Sequence, residues 1–113
     1  MTDIWPPFRT DDGELNKPKD HEIWANAHPN VKQFSEGICA RLVHPNCVFV
    51  DVCCIGPGPV NEGIKAVAIS REKLSEHGID LFVVPFFSET VTKEGAERTR
   101  LVLRVFKEGG VDG

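Results

Sequence analysis

The stretch Gly56-Pro57-Gly58-Pro59-Val60-Asn61-Glu62-Gly63-Ile64-Lys65-Ala66-Val67-Ala68-Ile69 decides how this chain folds. Its first four residues form a glycine-proline elbow that leaves an apolar run and opens an amphipathic segment. Pro59 suits the first helical turn, where a missing N–H costs little. Beyond it, Ile64, Val67, Ala68 and Leu74 recur at helical spacing and predict the buried stripe of a helix. Gly78 is placed to close that helix in a left-handed cap. The run before the elbow, Cys47 to Ile55, is apolar except for Asp51, as expected of a central strand buried on both faces.

Upstream, Glu22 to Ala27 predicts a short first strand and His28-Pro29-Asn30 a turn. Asn30 can cap the next helix, with Gln33 in the reciprocal position of a capping box. Val31, Phe34, Ile38 and Leu42 form that helix's apolar stripe, with Lys32, Gln33, Glu36 and Arg41 away from it, and His44-Pro45-Asn46 ends it. Downstream, Ile79 to Phe87 predicts a strand, Lys93-Glu94-Gly95 a turn and Glu97 to Lys107 a last strand. The order is β-α-β-α-β-β. Two crossovers followed by a hairpin predict a two-layer α+β domain, a four-stranded mixed sheet with both helices on one face.

The chain has 113 residues and a formal net charge of −4, room for one domain with a single core. Residues 1–30 hold three Lys or Arg against six Asp or Glu, and the remainder ten against eleven. The acidity therefore sits mainly before the domain, which is divided as an arm at 1–21, a folded unit at 22–108 and a tail at 109–113. The arm is rich in proline and charge and has one apolar island, Ile4-Trp5-Pro6-Pro7-Phe8. Either the island docks on a groove or the arm is an unstructured extension. A dedicated duplex binder carries a strongly basic face, and this near-neutral domain does not advertise one.

Nothing at Met1-Thr2-Asp3-Ile4-Trp5 reads as a secretory signal, and no apolar run approaches the roughly 20 residues of a membrane span. A cytoplasmic location is expected. Cys39, Cys47, Cys53 and Cys54 have no regular spacing and read as buried reduced thiols. Cys53 and Cys54, as strand neighbours, point to opposite faces and cannot share an ion. No metal, cofactor or catalytic set is predicted, and the chain reads as a non-enzyme.

From Gly56 to Ile69, including Asn61, Lys65 and Ala66-Val67-Ala68-Ile69, and on through Gly78 to Phe87 and Glu97-Arg98-Thr99-Arg100-Leu101-Val102-Leu103, the sequence resembles the stage V sporulation protein S family. The resemblance spans roughly Glu22 to Glu108. His28-Pro29-Asn30 and Gly95-Ala96-Glu97-Arg98-Thr99 are near matches to the family's first loop and to its entry into the last strand. The chain departs from the pattern in Pro57 and Pro59, in a longer connection before Cys47, and in the acidic arm. The resemblance implies an Alba-like fold and a homodimer that binds DNA or RNA near the first loop, at Asn26, His28, Asn30 and Lys32, and near the terminal hairpin.

Two constellations could serve such binding. The elbow, with Gly56, Gly58 and Asn61, opens a helix whose N-terminus favours anions; the alternative is a tight strand-to-helix turn, since Pro57 and Pro59 lack amides. On the last strand Arg98, Arg100 and Arg104 share one face by period-two alternation, and together with Lys107 make a basic strip without acids. That strip either pairs with phosphates, with Lys65 adding charge and Phe106 a stacking surface, or keeps an exposed sheet soluble. Two functions follow: a regulator that contacts the nucleic-acid backbone as a homodimer, or an assembly module on the same scaffold.

Overall fold

The computed structural model describes residues 21–25, 30–91 and 94–109. The arm before His21, loop residues 26–29, Lys93 of the predicted turn and 110–113 of the tail lie outside them. The elements are β1 (Glu22–Trp24), α1 (Val31–Leu42), β2 (Phe49–Cys54), α2 (Pro57–Ser75), β3 (Ile79–Val91) and β4 (Glu97–Gly109), in the order predicted. The strands form one mixed sheet in the order β1-β2-β4-β3. β1 runs parallel to β2, and β4 runs antiparallel to both β2 and β3. The last strand is therefore internal, which accounts for its apolar content.

Local chemistry sets the boundaries. The Asn30 side chain accepts from the Gln33 N–H at 2.8 Å and starts α1. Gly56 adopts φ 96°, a conformation that favours glycine, and both elbow prolines fall in the first turn of α2. Gly78 and Gly95, with φ of 76° and 88°, turn the chain into β3 and out of the hairpin tip. β3 extends four residues beyond the predicted Phe87 end, because Ser88 to Val91 pair with Arg100 to Glu97 in an arm that projects past β2.

Both helices cover one face. Phe34, Ile38 and Leu42 of α1 meet Ala66, Val67 and Leu74 of α2 over Ile23, Val50, Val52, Cys54, Ile79, Leu81, Leu103 and Val105. The buried stripe of α2 differs from the predicted one: Gly63, Ala66, Val67, Ser70 and Leu74 face inward, while Ala68 is exposed and Ile64 is 47% exposed. Small side chains explain the rotation. A Cβ on Gly63 would stand 3.1 Å from Cys54 Sγ and 3.2 Å from Val52 Cγ1, so the helix seats close to the sheet through its glycine. The Ser70 hydroxyl, 2.8 Å from the Ala66 carbonyl and 3.2 Å from that of Ser35, sits at the helix–helix contact.

The helices run in a fixed sense. Lys107 Nζ donates to the Leu42 and His44 carbonyls at 2.7 and 2.9 Å, tying the end of α1 to the end of β4. The N-termini of α1 and α2 therefore open at the other end of the sheet, beside the carboxyl ends of β1, β2 and β3 and the hairpin arm.

Candidate functional site

The sheet face turned away from the helices carries Glu22 and Trp24 on β1, Phe49, Asp51 and Cys53 on β2, and Arg100, Val102, Arg104 and Phe106 on β4, as strand alternation requires. The predicted strip of open arginines is not present. Arg100 and Arg104 are buried, and only Arg98 among the three is exposed. Arg104 donates from Nε and Nη2 to the two Asp51 oxygens, each at 2.8 Å. Arg100 Nη2 donates to Glu22 Oε2 at 3.2 Å and Nη1 to Cys53 Sγ at 3.4 Å. The fourth basic group, Lys107, is engaged by the helix-end carbonyls.

Aromatic rings roof these pairs. The Arg104 guanidinium carbon lies 4.3 Å from the Phe49 ring centre and 5.2 Å from that of Phe86, and Arg100 lies 5.1 Å from the Trp24 ring. Guanidinium stacked on an aromatic face and paired with a carboxylate is held both electrostatically and by packing. Phe106 does not stand open for a base. It stacks on Phe82 at 5.2 Å and tilts against Phe49 at 5.9 Å, one cross-strand row of three rings. At the other end of this layer Trp24 Nε1 and Arg100 Nε are buried without a hydrogen-bond partner among the described residues.

The titrating groups follow their surroundings. Burial works to raise the Asp51 carboxyl, but hydrogen bonds and charge from Arg104 and His21 outweigh it and hold the carboxyl below its ordinary value. His21 Nε2 lies 3.4 Å from Asp51 Oδ2. Burial pushes the Cys53 thiol far up despite the charge of Arg100, and pushes Cys54 to about 11. Neither is a nucleophile at neutral pH. Among the described residues no group of His, Cys, Asp and Glu is arranged to hold a metal ion, and no helix is long and apolar enough to cross a membrane.

The other predicted residues lie on the outside. Asn30, Lys32, Gly56, Gly58, Asn61, Lys65 and Arg98 are all exposed. Asn61 and Lys65, four apart on α2, share one helix face. Asn30 and the elbow open at the end of the sheet from which the Arg98 arm projects. Predicted loop contacts at Asn26 and His28 lie outside the described residues. The sequence reading missed His21, Glu22 and Asp51 as partners of the arginines; the signal was the lone acid in the apolar run, which on a buried strand demands a cation.

The family profile of stage V sporulation protein S (SpoVS) matches residues 22–108. The chain belongs to that family. The match covers every described strand and helix, from Glu22 of β1 to all but the last residue of β4. Membership places the protein with sporulation regulators rather than with a known enzyme family.

Proposed function

We propose that this protein is a non-catalytic regulator of the stage V sporulation protein S type that binds DNA or RNA in the cytoplasm as a homodimer, mainly through the phosphate backbone. One observation carries the reading: both helix N-termini and the projecting hairpin arm converge at one end of the sheet. Helix N-termini present positive potential and favour anions, and the exposed cations Lys32 and Arg98 belong to the same end. Lys65, with Asn61, extends this surface along α2. Gly58 offers the one amide between the elbow prolines, so side chains rather than the elbow backbone make the principal contacts. Arg100 and Arg104 hold the sheet together beneath the contact surface.

The test is fluorescence anisotropy over a salt series with single- and double-stranded DNA and RNA probes. Wild type binds with a negative slope of log affinity against log salt. Arg98→Ala and Lys32→Ala each make the slope shallower by about 0.7–0.9 for every phosphate the missing cation had neutralised. Absence of salt-dependent binding to every probe overturns the reading.

A specific observation favours a second reading, an assembly module without nucleic-acid binding. Arg100, Arg104 and Lys107, three of the four basic side chains on β4, are consumed by internal partners. If the anisotropy series is flat, this reading replaces the first.

A further inference from the structure

The sheet face turned away from the helices is better shielded than its own elements explain. Both helices pack on the other face, so no described helix covers it. Yet Cys53 and Val102, small side chains paired at its centre, are 0% and 1% exposed. The charged pairs beside them, Arg104 with Asp51 and Arg100 with Glu22, are buried as well. The rings that roof these pairs are themselves partly shielded. Trp24, Phe49, Phe86 and Phe106 are half-buried, although a ring lying on a bare sheet shows water one whole side. Trp24 Nε1 and Arg100 Nε are out of contact with water and have no acceptor among the described residues. A further layer above the rings, able to supply carbonyl oxygens, would account for all of this.

We propose that this face is a docking surface for the chain's own N-terminal segment, with Ile4-Trp5-Pro6-Pro7-Phe8 laid across the rings. Several features single out this occupant. His21, the first described residue, turns its ring onto this face, 5.2 Å from that of Phe49 and with Nε2 3.4 Å from Asp51 Oδ2. The described chain therefore begins on that side. Phe8 lies 13 residues before His21, a tether of up to about 45 Å against a four-stranded sheet about 15 Å wide. The five residues of the island carry no charge, which suits a face where each buried guanidinium already meets a carboxylate. Pro6 and Pro7 lack amide donors that a covering segment would otherwise leave buried and unpaired. Proline-rich segments are recurring occupants of aromatic-lined surfaces, because their extended form is set in advance. The segment precedes the residues 22–108 that match the family profile, so the cover belongs to this chain rather than to the matched domain.

The experiment is acrylamide quenching of tryptophan fluorescence in the full chain, which has two tryptophans, one on each side of the proposed contact. Trp24→Phe leaves Trp5 as the only reporter. Its emission should be blue-shifted and its quenching several-fold weaker than in a synthetic peptide of residues 1–20; a Trp5 as open as in the peptide overturns the proposal. Conversely, Trp5→Phe and Trp5→Asp/Phe8→Asp leave Trp24 alone. Quenching of Trp24 should rise several-fold in the second relative to the first, and equal quenching overturns the proposal. Position is tested in the Trp24→Phe background. Phe82→Ala/Phe86→Ala, on the docking face, should release Trp5, whereas Phe87→Asp, on the helix side of β3, should not; the reverse result overturns the assigned surface. Protection of Trp5 that disappears on dilution points to the segment of another molecule and overturns docking on the same chain. Circular dichroism checks each fold. If Trp24→Phe melts early, the comparison of Trp5→Phe with Trp5→Asp/Phe8→Asp carries the test, since both alter residues outside the matched domain.

Discussion

Arg104 and Asp51 are cross-strand partners on β4 and β2, and the fork of one closes on both oxygens of the other at 2.8 Å in a site that solvent hardly reaches. Such a pair costs desolvation to form, and removing one member takes a balancing charge away from the other in the interior. Asp51→Asn is accordingly expected to lower stability by about 3–5 kcal/mol at pH 7, the usual cost of breaking a buried pair. Urea denaturation monitored by circular dichroism measures it.

The same carboxylate sets an acid limb. Its folded value lies below its unfolded one, so its contribution is fully present above the unfolded value of about 4 and disappears as pH falls through the depressed folded value. Wild-type stability should fall progressively below about pH 4, and Asp51→Asn should show a flatter limb there. Equal limbs in the two proteins would show that Asp51 is not the group responsible.

Two arginines of one strand should behave differently. Arg98→Ala, at an exposed position, should change stability by no more than about 0.5 kcal/mol. Arg100→Ala removes the buried guanidinium that pairs with Glu22 and should cost about 3–5 kcal/mol. Thermal melts of the two variants, set beside their anisotropy slopes, separate a phosphate-contacting arginine from a structural one.

Gly63 tests the seating of α2. Gly63→Val forces a branched side chain against Cys54 and Val52 and should cost about 1–3 kcal/mol, as over-packed cores do. Gly63→Ala should cost less, since a gain of about 1 kcal/mol in helix propensity opposes the squeeze. The midpoint of urea unfolding distinguishes the two.

Much of this arrangement was legible in the residues. The elbow, the Asn30 cap and the apolar periodicities fix the element order because each reflects local backbone chemistry. The inward face of α2 was not, because Gly63 and Ser70 score as neither apolar nor large, yet their smallness is what lets the helix approach. The fate of Arg100 and Arg104 was hidden for a different reason. Their partners, Glu22 and Asp51, lie 78 and 53 residues away in sequence, and alternation within one strand says which residues share a face without saying what that face meets. Asn30, Lys32 and Arg98, at element ends, were readable as exposed from position alone.

The strand order has a consequence for how the chain is born. β4 is the last of the four strands of this sheet to be synthesised, yet it lies between β2 and β3 and supplies the cations for acids on β1 and β2 and for the end of α1. Until it emerges, β2 and β3 have no shared neighbour and Asp51 has no Arg104. A nascent chain therefore has no closed sheet until β4 has emerged. Premature termination anywhere upstream of residue 97 should yield an unfolded fragment, a target for proteolysis rather than a partly working regulator.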